Sequence, residues 1–135
     1  MKMKLLDDGY AFGGGGGSSS PGMSLVATTP AAGIALINGT QNILTYTTPN
    51  DGNLHTVILA CMIDVTTAQT GGAIELLSTI NGAAFTDSFF AGGGTVGLKN
   101  NHFNVVCDPN TTVTIKQSTA QTAGVATAFI QLFGE

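Results

Sequence analysis

Acid–base chemistry needs titratable side chains that can converge, and this chain offers few. His55, His102, Asp51, Asp64, Glu75, Asp87 and Asp108 are the candidates in its main part. Asp51 stands in Pro49-Asn50-Asp51-Gly52 and Asp108 in Asp108-Pro109-Asn110, turn sequences in which an aspartate bonds to nearby backbone. A thiol nucleophile would pair Cys61 with His55, or Cys107 with His102. Both cysteines lie in apolar runs, "ILACMIDV" and "FNVVCD", without the cationic context that makes a thiolate. They read as two buried free thiols, with a disulfide between neighbouring strands as the alternative. Polysaccharide hydrolysis would need two carboxyls about 5–10 Å apart, and Asp64 with Glu75 is the pair to test. No metal-ligand spacing joins the histidines, Asp64 and the cysteines. Gly13–Gly17 is not followed by the Lys-Ser/Thr of a phosphate loop. The expectation is a protein that is not an enzyme and carries no metal or cofactor site.

Only 9% of the residues are charged, against about 25% in an ordinary soluble domain. The polar surface must come from Thr, Asn, Gln, Ser and Gly, which suits a surface covered in part by partner subunits. Net charge is −4, and arginine is absent. Lys2 and Lys4 offset Asp7 and Asp8, leaving Lys99 and Lys116 against six acids. Nucleic acid and anionic lipid both need a basic footprint that this chain lacks. No run of about 18 apolar residues is present to span a membrane. The first residues, "MKMKLLDDGY", hold no apolar stretch of secretory-signal length, so synthesis in a reducing cytoplasm is expected.

The 135 residues suit one domain preceded by an arm. Residues 1–23 contain Gly13–Gly17, Ser18–Ser20, Pro21 and Gly22, a composition that makes a flexible tether. Ahead of it stand Leu5, Leu6, Tyr10 and Phe12, which read as an anchor peptide for pockets on another protein. The plainer reading is a tail with incidental apolar residues.

Residues 24–135 read as a β-sandwich. Ten candidate strands rich in Val, Ile, Thr, Phe and Tyr are expected: Ser24–Thr28, Ile34–Ile37, Asn42–Thr47, Leu54–Val65, Gly72–Ile80, Ala84–Ala91, Thr95–Leu98, His102–Cys107, Thr111–Ser118 and Gly124–Phe133. Turns at Asn38-Gly39, Asn81-Gly82, Gly92–Gly94, Asn100-Asn101 and elsewhere separate them. "TTAQTGGAIELL" at 66–77 echoes "STAQTAGVATAFIQL" at 118–132, which shared turn chemistry explains without a repeat architecture.

Strand faces carry more. Val113 and Ile115 alternate with Thr112, Thr114 and Lys116, the pattern of a half-buried strand. Val57 to Ile63 is apolar without interruption. The last strand has Ala126, Ala128, Ile130 and Leu132 on one face, and Val125, Phe129 and Phe133 on the other. A strand apolar on both faces must be covered on both. Self-association through faces that include Phe129 and Phe133 is therefore expected.

The arm, tether and body together resemble small virion proteins of tailed bacteriophages. The residues carrying the likeness are "GGGGGSSSPG" at 13–22, "ILTYTTPNDGNLHTVILACMIDV" at 43–65 and "AGVATAFIQLFGE" at 123–135. The resemblance implies a jelly-roll body, a trimer and a head-decoration (cement) role, with the arm gripping the major capsid protein. A head or tail fibre module that reads a host receptor through Gly92–Gly94 and Gln117–Ala123 is the alternative.

Overall fold

A computed structural model describes residues 23–135. In chain order the strands are β1 (Ser24–Thr28), β2 (Ile34–Ala35), β3 (Gln41–Thr47), β4 (His55–Gly71), β5 (Ile74–Ile80), β6 (Ala83–Phe90), β7 (Gly97–Cys107), β8 (Thr112–Gln117) and β9 (Gln121–Gly134). They form two antiparallel sheets. The first runs β1-β9-β4-β7, with β2 also on β9, and the second runs β3-β8-β5-β6. β1 pairs with Gln131–Gly134 and β2 with Thr127 and Ala128, so the two are pieces of one edge strand interrupted at Pro30–Gly33. Counted as one, they give eight strands in jelly-roll order, passing between the sheets at every connection except the β5–β6 hairpin. The expected all-β sandwich of jelly-roll type is the fold observed.

The core lies between the sheets. Val57, Leu59, Cys61, Ile63 and Val65 of β4 point inward beside Ala126, Ala128, Ile130 and Leu132 of β9. Ile74 and Leu76 of β5 and Val113 and Ile115 of β8 meet them from the second sheet. Truncating one such Leu or Ile to Ala costs about 2–5 kcal/mol. The β5–β6 hairpin closes at Asn81-Gly82, where φ is 51° and 77°. Two positive values define the type I′ turn that Asn-Gly favours. Asp108 does more than turn its own loop, because its carboxylate accepts the N–H groups of Asn81 at 2.7 Å and Gly82 at 2.8 Å.

Two of the expected boundaries change. The break at Asn100-Asn101 is absent, and β7 runs through it as one strand. Asn100 faces outward opposite Met62, while Asn101 turns inward and donates to the Phe89 carbonyl at 2.7 Å. A strand tolerates both residues because each finds water or a partner. β4 also continues past Val65 to Gly71, through register shifts against β9.

The Thr-Ala-Gln-Thr echo has a spatial basis. Residues 67–72 and 119–124 pack against each other at one end of the sandwich, with Thr70 opposite Ala123. Gln69 Nε2 donates to Gln121 Oε1 at 2.8 Å. A Cβ on Gly71 would strike the Ala120 carbonyl, and one on Gly124 would strike the Ala68 carbonyl, so each copy of the motif presses a glycine onto the other. Shared turn chemistry was an incomplete account of the echo.

Every edge carries a device against strand addition. The β1/β2 edge is interrupted beside Pro30. β3 has a bulge between Asn42 and Leu44. On β6, Asp87 sits opposite buried Leu76, and on β7, Lys99 sits opposite buried Ile63. Both charges therefore point toward the sandwich interior from an open rim.

Candidate functional site

The two outer faces of the sandwich differ in kind. Register places Asn42, Thr45 and Thr47 of β3, Thr112, Thr114 and Lys116 of β8, Glu75 and Leu77 of β5, and Thr86 and Ser88 of β6 on the outside of the second sheet. Apart from Leu77 this is a surface of hydroxyls and an amide, with Glu75 opposite Lys116 as its charged pair. The outside of the first sheet carries two apolar rows. Leu25, Phe133 and Ile58 form one row across β1, β9 and β4, and Phe129 and Met62 form another. Its margin adds Leu98 and Val106 of β7 and Val125 of β9, exposed at 60%, 41% and 52%. Polar groups here are Asp64, His102, Asn100, Asn104, Thr127 and Gln131.

Neighbours cover the two phenylalanines in part. Gly33 lies against Phe129, where a Cβ would come within 2.9 Å of Cε1. Phe133 is flanked by Ile58 and by Leu25, itself 48% exposed. Phe129 and Phe133 therefore lie on one surface, as their spacing predicts. Leu25, Ile58 and Met62 complete it. Their place was hidden in the sequence because the register of β1 and β4 against β9 is not readable from either strand alone. Leu5, Leu6, Tyr10 and Phe12 fall outside the described residues.

The candidate catalytic pairs do not assemble as expected. Asp64 lies on the outside of the first sheet and Glu75 on the outside of the second, so the two carboxyls point away from each other. His102 pairs with Ala60, and Cys61 with Asn101. The cross-strand neighbours are instead His55 and Cys107, both buried. His55 Nε2 lies 2.8 Å from Asp51 Oδ1, and Nδ1 lies 3.8 Å from Glu135 Oε1. The two carboxylates sit on opposite sides of the ring and share no common point for a ligand. The Asn53 amide first, and then His55, hold the Asp51 carboxyl below its usual value.

Both thiols are free. Burial pushes Cys61 up to about 12. Burial also raises Cys107, with the Asp108 charge adding to the rise and the nearby Ser78 hydroxyl opposing it. Neither is activated as a nucleophile. Six residues of strand separate the two positions at which β4 and β7 carry them, a span of roughly 20 Å, far beyond disulfide reach. The disulfide alternative is thereby removed. Among the described residues no cluster of three His, Cys, Asp or Glu side chains forms a metal site, and no helix is long and apolar enough to cross a membrane.

The loops proposed for receptor reading meet at one end. Gly93 donates to the Gly71 carbonyl at 2.8 Å, and Gly72 to the Ala120 carbonyl at 3.1 Å. Gln117, fully buried, donates to the Ile37 and Thr119 carbonyls and accepts from Ile37 N–H and the Gln41 amide. Sequence reading missed this glutamine. Its signal was a polar residue in phase with Val113 and Ile115 on the inward face.

No protein-family model matches the sequence, and no curated protein does. Among solved structures, a chain in the structure of infectious bursal disease virus, Gx strain, is similar at 15% identity and a TM-score of 0.46. The match covers 84% of this chain and 30% of that one, so this chain spans under a third of its length.

Proposed function

We propose that the chain is a structural protein of a virion, a decoration subunit that binds the head shell of a tailed bacteriophage and stabilises it. The observation that carries this reading is the asymmetry of the sandwich. One outer face is polar, while the other offers Leu25, Ile58, Met62, Phe129 and Phe133 to a partner. Burying a Phe or Leu fully contributes about 1.5–3 kcal/mol, so such a face drives association. The jelly roll is a common shell-building fold, and the arm-tether-body layout resembles phage decoration proteins. In this reading copies associate as trimers on the particle through the first sheet, and the arm residues Leu5, Leu6, Tyr10 and Phe12 hold the major capsid protein. No nucleic acid, membrane or cofactor takes part, and no reaction is catalysed.

The test is co-sedimentation with empty shells, followed by cross-linking on the particle. Full-length protein is expected to bind in hundreds of copies and to cross-link as trimers. Removing residues 1–22 should abolish binding, and Phe133→Asp should abolish the trimer band. Shell binding that survives the truncation refutes the arm's role, and trimers that survive Phe133→Asp refute the face's role. The fibre reading is favoured by one observation, the meeting of Gly92–Gly94 with Gln117–Ala123 at one end. A handful of copies per particle would select it.

A further inference from the structure

We infer that in the free subunit residues 5–12 of the same chain lie on the outer face of the first sheet, as a latch that leaves on docking. This rests on the reading of that face as an assembly surface and adds how it is kept from associating early. The first argument is where the chain enters the body. β1 starts at Ser24, and Leu25 already belongs to the apolar row with Phe133 and Ile58. Residues 1–22 therefore join the body at the corner of the exposed surface, on its outermost strand.

The second argument is reach. Residues 13–22 are ten in number and contain six glycines. Fully extended they span about 33 Å, and as a coil roughly 16–19 Å. The face is three strand spacings wide from β1 to β7, about 14 Å. The tether thus brings Phe12, Tyr10, Leu6 and Leu5 to any point on it. The third argument is complementarity. The face carries two apolar rows, with Gln131, Ala60 and His102 between them, and the segment supplies four apolar side chains within eight residues, on either side of Asp7 and Asp8. A tether of ten residues of this composition would hold them at an effective concentration of about millimolar. A second copy at micromolar concentration competes poorly against that, so the chain's own segment is the occupant in dilute solution.

A latch closed about nine-tenths of the time lowers the competent fraction tenfold per copy, and so weakens pairing of two copies about a hundredfold. The experiment compares full-length protein with the fourfold variant Leu5→Ser, Leu6→Ser, Tyr10→Ser, Phe12→Ser, which leaves every described strand intact. Sedimentation should show self-association tightened at least tenfold in the variant, with a several-fold rise in the fluorescence of a bound hydrophobic dye. Unchanged association and unchanged dye binding overturn the latch. A photo-crosslinking phenylalanine analogue in place of Tyr10 provides a second readout, on a mixture of isotopically light and heavy protein. Crosslinks to peptides spanning 58–62 or 129–133 within one chain support it. Crosslinks between chains, or to the second sheet, overturn it. Full-length protein that fails to bind shells would sink the virion reading while leaving the latch result as measured.

Discussion

Replacing Gln117 by Leu should damage the fold far more than its similar volume suggests. The side chain is fully buried. Its Nε2 donates to Ile37 O at 2.7 Å and Thr119 O at 2.9 Å, while Oε1 accepts from Ile37 N and Gln41 Nε2 at 3.0 Å each. Leucine would keep the packing between β3 and β5 and remove a partner from each of four groups, of which the Ile37 carbonyl keeps the Gln121 N–H and the Gln41 amide keeps the Ala35 carbonyl. Each buried unpaired group costs about 1–3 kcal/mol. Thr119 can turn to water, so the loss is set mainly by the Ile37 N–H, giving about 1–3 kcal/mol. For a body of this size that lowers the melting temperature by roughly 5–15 °C. Urea unfolding followed by far-UV circular dichroism measures it, and hydrogen exchange should locate the loosening at Ile37–Gln41. A Gln117→Leu protein within 1 kcal/mol of the original, a threshold set by the about 1 kcal/mol of one hydrogen bond, would refute the assignment of this amide as the pin between β8 and the β2–β3 connection.

Three further outcomes follow from the geometry. Gly124→Val forces a side chain onto the Ala68 carbonyl at a φ of 90°, and should cost at least about 3 kcal/mol in the same unfolding assay. Neither cysteine should react with a thiol reagent at pH 8 in the folded protein, both should react in denaturant, and a reducing agent should leave the melting temperature unchanged. Asp51 is held below its ordinary value of 3.8, so its contribution to stability is present above about pH 4 and is lost as pH falls through its lowered value. Asp51→Asn should remove that part of the acid dependence in urea midpoints measured from pH 2 to 6.

Much of the sandwich was legible because strand alternation is local. Val113 and Ile115 declared one inward face, and Ala126 to Leu132 another, with no knowledge of their partners. The unbroken apolar run of β4 announced two covered faces, and Phe129 and Phe133 named one of them. Pairing was not legible, since it depends on which strands become neighbours. His55 met Cys107 rather than Cys61 because His55 and Cys61 lie six residues apart on one strand while Cys107 faces His55 from β7, and Asp64 and Glu75 ended on opposite sides because β4 and β5 belong to different sheets. Asn100-Asn101 read as a turn on residue type, yet alternation gives one asparagine to water and the other to the Phe89 carbonyl. The paired Thr-Ala-Gln-Thr segments were visible as letters, while their contact needed the β4–β9 register.

The guarded rims bear on how large an assembly can grow. Asp87 and Lys99 aim charge inward along two open edges, and breaks interrupt the others. A new strand joining any rim would bury an ion or meet a misaligned ladder. Growth by endless backbone zippering is closed off, and among the described residues the greasy side of the first sheet remains for contact. Objects with one adhesive side build small closed rings and clusters around a symmetry axis, and they stop when that side is used up.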